Sequence, residues 1–140
     1  MKKILIITCA LLSIFSCKNA PENNSEYSEK RTIDEKAGQN CLKEAREKLS
    51  QKKYDEARTT IERMRKEHPL GLNAREEGIL LLDSINLFEA EKQLKDVNEE
   101  LRTALKNKKD SLQIEFDDLF QKSKFYRRKL EHDKKENGTL

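Results

Sequence analysis

Tryptophan is absent from this chain of 140 residues, glycine occurs four times and proline twice. With glycine so scarce there is no phosphate-cradling loop. Histidine is nearly as rare. His68 and His132 stand 64 residues apart, neither beside a Cys or a second His at ligand spacing, so nothing in the sequence points to a metal. No serine sits in a nucleophile elbow. The adjacent carboxylates Glu99-Glu100 and Asp117-Asp118 point in different directions on a helix and read as solvated surface. These absences argue against an enzyme and name no cofactor. Apolar residues make up only 35% of the chain and charged ones 39%. That balance excludes a thick globular core but permits helices with one narrow apolar stripe.

The longest apolar run is at the start. Lys2 and Lys3 precede Ile4 to Phe15, broken only by Thr8 and Ser13. At about 12 residues the run is too short for a bilayer-spanning helix and fits the core of a signal peptide over residues 1–16. Without it, 38 of 124 residues are apolar, and 27 basic residues face 26 acidic ones. A net charge of +1 excludes a strongly basic nucleic-acid binder. The ending Ile14-Phe15-Ser16-Cys17 resembles the lipobox of bacterial lipoproteins. The resemblance implies that Cys17 is acylated through sulfur and becomes the new N-terminus, with this covalent lipid as the membrane anchor. Two or three acyl chains hold stably at roughly 0.8 kcal/mol per buried methylene. Lys18, in place of the Asp that retains enterobacterial lipoproteins in the inner membrane, directs the same resemblance to the outer membrane. Its periplasmic and external faces both remain open. Of the three cysteines, Cys9 leaves with the signal and Cys17 becomes a thioether. Cys41 is then a buried core thiol or one half of an intermolecular disulfide.

Residues 17–35, the acylated Cys and a polar stretch containing Pro21, read as a flexible tether. From residue 36 to 105 the pattern is helical. Cys41, Leu42, Ala45 and Leu49 share one face of a first helix, and Ala57, Ile61 and Met64 one face of a second, from Tyr54 to His68. Pro69 and Gly71 stop that second helix. Tyr54, Ala57, Ile61 and Pro69, with Ala45 in the first helix, resemble the tetratricopeptide repeat at its own spacing. The resemblance covers about one repeat and implies a helical hairpin that binds a peptide or protein. Shifted by 33 residues, Gly78, Leu87, Ala90, Leu94 and Val97 form an eroded second copy.

No Gly or Pro falls between Gly78 and Gly138, and Leu94, Val97, Leu101, Leu105, Leu112, Phe116, Leu119, Tyr126 and Leu130 form one stripe. Ten steps of 3.6 residues connect its ends if Lys108 and Ser123 fill the gaps, the period of a straight helix rather than a coiled coil. The pattern favours one helix from about residue 73 to 135, about 95 Å long. Two alternatives are a bend near residues 83–86 and a turn at the polar run 106–110 that folds residues 111–135 back. The segment 106–136 is thus a C-terminal helix or a continuation, and residues 137–140 are a disordered tail.

The fold class is therefore all-α: a tetratricopeptide-like hairpin followed by a long C-terminal helix. Two surfaces carry the functional expectation. Tyr54, Met64 and Leu81 mark a partner contact around the hairpin. Phe125, Tyr126, Arg127 and Arg128 lie in a segment, Gln121 to Glu136, with seven basic and three acidic residues, suited to anionic headgroups, an acidic polymer or an acidic partner. The whole resembles small lipoproteins of Bacteroidetes-type envelopes. It is expected to act as a non-enzymatic adaptor for an envelope protein. The alternative is a structural spacer that self-associates through the Leu94–Leu130 stripe. The expected partners are the membrane, through the lipid, and an envelope protein or a second copy of the chain, with no nucleic acid.

Overall fold

The computed structural model describes residues 23–136 and Gly138, with side chains from Glu26 onward. The segment expected to be a signal peptide, Cys17 and the start of the expected tether lie outside the described residues, as does the expected tail apart from Gly138. The described chain is all-α: α1 (Asn23–Ser50), α2 (Tyr54–Glu67), α3 (Leu72–Thr103) and α4 (Lys106–Glu136), with no strand among the described residues.

The first three helices form one packed unit. Leu42 and Ala45 of α1, Ala57, Ile61 and Met64 of α2, and Ala74, Leu81 and Ile85 of α3 make its core. They are the periodic apolar positions of each segment. The helices approach closely because the contact residues are small: a Cβ on Gly38 of α1 would lie 2.6 Å from the Ala74 Cβ of α3. Cys41 is buried in this core with its thiol free, the first of the two expected arrangements.

The α1–α2 turn is a Schellman motif. The Lys53 amide donates to the Lys48 carbonyl at 3.0 Å and the Lys52 amide to that of Leu49 at 2.9 Å. Lys52 occupies the left-handed position, φ 61°, that glycine usually fills. At the other end of α2, Pro69 forces His68 out of helical geometry, at φ −123° and ψ 62°.

Two expectations are corrected here. The tether was drawn to residue 35, yet α1 begins at Asn23. Its added turns are anchored by two carboxylates. Asp34 accepts a hydrogen bond from the Leu70 amide at 3.0 Å, and Glu35 accepts from Asn73 and Ala74 at 3.0 and 2.8 Å. Glu35 therefore holds the free N–H groups at the start of α3 from across the interface, where negative charge also meets the positive end of the helix dipole. Gly71 admits this approach: a Cβ there would stand 2.9 Å from the Asp34 carbonyl oxygen.

The second correction concerns the long helix. It breaks at Ala104, which is extended at φ −66° and ψ 142°. The break falls just ahead of the polar run expected to turn, and that run becomes the first turns of α4. No break occurs at residues 83–86. α4 folds back antiparallel on α3 and, among the described helices, packs on α3 alone. The stripe explains why. A break forfeits about four helical hydrogen bonds, each worth roughly 1 kcal/mol net and replaceable by water. Folding back covers Leu94, Val97 and Leu101 with Leu112, Phe116 and Leu119, at roughly 1.5–3 kcal/mol for each side chain fully buried. Even half-burial of six such groups exceeds the loss. Ser123 fills its gap in the stripe as expected and is buried.

Candidate functional site

Where α1 ends and α2 begins, the chain leaves a groove against α3. Arg46, Leu49 and Ser50 come from α1, Lys52 from the turn, Tyr54 from α2 and Phe88 from α3, and together they line an open depression of about 430 Å³. Leu49 and Tyr54 pack on the core with one side and face the groove with the other. Phe88 is 49% exposed. It follows the buried Leu87 on a helix whose inward positions are already filled, so its ring is left at the groove wall. Such a volume falls in the lower range of binding clefts and takes one or two side chains.

Charged pairs fix the groove walls. Arg46 Nη2 donates to Glu77 Oε2 at 2.8 Å, tying α1 to α3. Arg58 of α2 binds Glu89 of α3 and also reaches Asn86 Oδ1 at 3.2 Å. On the far side of the α1–α2 pair, Glu44 accepts from Lys48 at 2.8 Å and from Arg63 at 2.7 Å. The Lys48 hydrogen bond, with Arg63 beside it, holds the Glu44 carboxyl below the usual range. These contacts make the hairpin a defined scaffold rather than a loose pair of helices.

Of the residues expected at this contact, only Tyr54 lies in the groove. Met64 is 0% exposed and Leu81 8%. Both are core: Met64 packs under Gly78 and cannot meet a partner. Leu81 shows only an edge, in a neighbouring depression of about 310 Å³ shared with Leu80 and Ser84. The error is one of helix phase. Repeat spacing identifies the apolar positions, and the same spacing turns them inward. Leu49, read as an inward position of the first helix, and Phe88 are the residues that join Tyr54 in the groove.

The aromatic and basic residues of α4 divide. Phe125 is 60% exposed and meets Tyr126 edge to face, ring centroids 5.3 Å apart. Tyr126 is half-buried and Arg128 exposed. Arg127 instead turns to α3 and donates to Glu91 Oε1 at 2.5 Å.

A linked set of displaced ionisations lies away from the groove. Lys129 donates to Asp83 at 2.5 Å and to Asp133 at 2.7 Å, joining α4 to a buried carboxylate of α3. Burial pushes the Asp83 carboxyl up despite Lys129. The Lys129 hydrogen bond, followed by that of the His132 ring, holds Asp133 down to about 2. Burial pulls the Lys129 ammonium down, but its two carboxylate partners outweigh this and keep it above the usual lysine range. Displaced groups can mark catalysis. Here they hold two helices together, and no cleft opens at them among the pockets described. Among the described residues no three His, Cys, Asp or Glu side chains cluster as metal ligands, and no helix is long and apolar enough to cross a membrane. No protein-family model, curated protein or solved structure matches the chain.

Proposed function

We propose that the protein is a lipid-anchored, non-enzymatic adaptor of the bacterial cell envelope, tethered through Cys17 to the outer membrane and docking a protein partner in the groove at Tyr54. The lipobox-like residues support the anchor. The observation that carries the adaptor reading is Phe88, a half-exposed aromatic on a rigid helix, facing Leu49 and Tyr54 across a preformed concavity. Aromatic anchors in partly enclosed sites dominate the energetics of protein recognition. The non-enzymatic part rests on the displaced ionisable cluster, Asp83, Lys129 and Asp133, being engaged in helix pairing. The spacer alternative needs the Leu94–Leu130 stripe on the outside, whereas this stripe is largely folded between α3 and α4.

A photocrosslinking phenylalanine analogue at position 88, in native envelopes, tests the docking. One foreign chain captured in stoichiometric yield is the expected result. Capture of a second copy alone, or equal yield from position 114 on α4, would refute it. Cys17→Ser, followed by metabolic labelling with a fatty acid, tests the anchor separately: the label should disappear and residues 1–16 should remain attached, whereas label that persists would refute it.

A further inference from the structure

The twelve residues from Leu119 to Leu130 contain five cations and no carboxylate. The fold divides these cations into two sets. Arg127 and Lys129 turn toward α3 and are neutralised there by Glu91, Asp83 and, from α4 itself, Asp133. Lys122, Lys124 and Arg128 stay exposed: Lys124 and Arg128, four residues apart, on the side away from α3, and Lys122 on the flank, seven residues before Lys129. Asp118 and Glu131 bound the stretch at either end, one helical turn from Lys122 and from Arg128. Two aromatic rings stand between them. Phe125 is 60% exposed and Phe120 42%, and the Lys124 ammonium lies 5.1 Å above the Phe120 ring. Phe120 stacks on Phe116 at the edge of the α3–α4 interface, ring centroids 6.3 Å apart, and Phe125 lies beyond it.

We infer that this outer face of α4 is a binding surface for an anionic lipid bilayer. The face is convex, three helical turns or about 18 Å long, on a helix that packs on α3 alone. A folded acidic partner would need a fixed set of carboxylates curved to match it. A fluid anionic surface needs only charge density and room for two rings between headgroups. Lysine and arginine stems spread along such a surface while their charges reach the phosphates, and exposed aromatics enter the interfacial layer. The inference requires neither the Cys17 lipid nor the groove at Phe88, and it stands if either fails.

Because the chain lacks tryptophan, Phe125→Trp provides a single fluorescent reporter on this face. The N-terminal apolar run can hold the full chain on any vesicle, so the readout is immersion of position 125 rather than co-sedimentation. On vesicles of phosphatidylglycerol with phosphatidylethanolamine, the emission should shift to the blue and be quenched by brominated acyl chains. On phosphatidylcholine it should do neither. Replacing Lys122, Lys124 and Arg128 together with Gln should remove most of the blue shift and of the bromine quenching on the anionic vesicles, with unchanged helical circular dichroism because all three are exposed. The inference is overturned if the reporter responds equally to both vesicle types, responds to neither, or is indifferent to the triple substitution. A blue shift with soluble polyglutamate and none with vesicles would also overturn it and reassign the face to an acidic protein.

Discussion

Lys129 on α4 meets Asp83 on α3 at 2.5 Å across 46 positions of sequence, so the only buried carboxylate of the α3–α4 pair among the described residues carries its own counter-charge. Removing one partner of a buried pair costs more than the pair itself contributes, because a charge is left in low dielectric. Lys129→Met should therefore destabilise the α3–α4 hairpin by roughly 2–3 kcal/mol, read by urea unfolding. Adding Asp83→Asn should recover part of that loss. A double variant no better than Lys129→Met would show that Lys129 acts through Asp133 alone.

Acid titration separates the two aspartates by sign. Asp133 is held down to about 2, against an ordinary value near 3.8, so its share of stability is present above about pH 4 and vanishes as pH falls toward 2. Asp83 is displaced upward by burial. Protonating it relieves a buried charge, so its share moves the opposite way as pH falls through its raised value. Melting temperature measured from pH 5 to pH 2 should fall in the native chain. In Asp133→Asn the fall between pH 4 and pH 2 should be visibly shallower. An identical slope would remove Asp133 from the account.

Glu35 accepts the amides of Asn73 and Ala74, a capping role supplied from another helix. Glu35→Ala should cost about 1–2 kcal/mol, the range for a lost N-terminal cap. The loss should be local first. Hydrogen exchange at Asn73 and Ala74 should accelerate more than at Ile85, in the middle of the same helix. Uniform acceleration would mean that α1 undocks as a whole.

These carboxylates also show where the sequence was legible and where it was not. Periodicity located α2 to within a residue and identified Leu42, Ala45, Ala57 and Ile61 as core, because an apolar stripe at 3.6 spacing has only one stable use. Asp34 and Glu35 were hidden because their partners are backbone amides 36 to 39 residues away, and backbone amides leave no mark in composition. Asp83 did leave a mark, as a lone carboxylate in the apolar run from Ile79 to Phe88. The bend was suggested because the eroded repeat, shifted by 33 residues, places its inter-helix turn at residues 83–86, whereas Asp83 lies inside a helix and meets Lys129. Leu49 was read as an inward position and Phe88 lies beside the inward Leu87, and amphipathic spacing says nothing about which edge of a stripe stays uncovered.

Lys52 sits at φ 61° in the Schellman turn, a conformation that costs an ordinary L-residue roughly 1 kcal/mol and glycine almost nothing. Lys52→Gly should raise stability by about 0.5–1 kcal/mol, the strain relieved being partly offset by the greater freedom of glycine in the unfolded chain. Thermal melts of the two proteins decide it. A lower melting temperature would show that the Lys52 side chain, at the mouth of the groove, contributes more than its backbone strain costs.

The break at Ala104 yields the largest geometric difference between two readings of one sequence. Lys92 and Arg128 are both exposed, on α3 and α4, and 36 residues separate them. In an unbroken helix that separation is roughly 54 Å. In the hairpin, Glu91 and Arg127, their immediate neighbours, form an ion pair at 2.5 Å. Spin labels at positions 92 and 128 should therefore give one short distance, well under half the straight-helix value. The stripe predicts how this distance fails. Leu112 is buried against α3, and Leu112→Asp places a charge where Val97 and Leu101 are covered, at a cost of several kcal/mol. The hairpin should then open and a long distance should appear, while helical circular dichroism stays nearly constant because both arms keep their internal hydrogen bonds. A long distance in the native chain would return the stripe to the surface and revive self-association as its use. A short distance that survives Leu112→Asp would mean that Arg127 and Lys129, not the apolar stripe, hold the arms together.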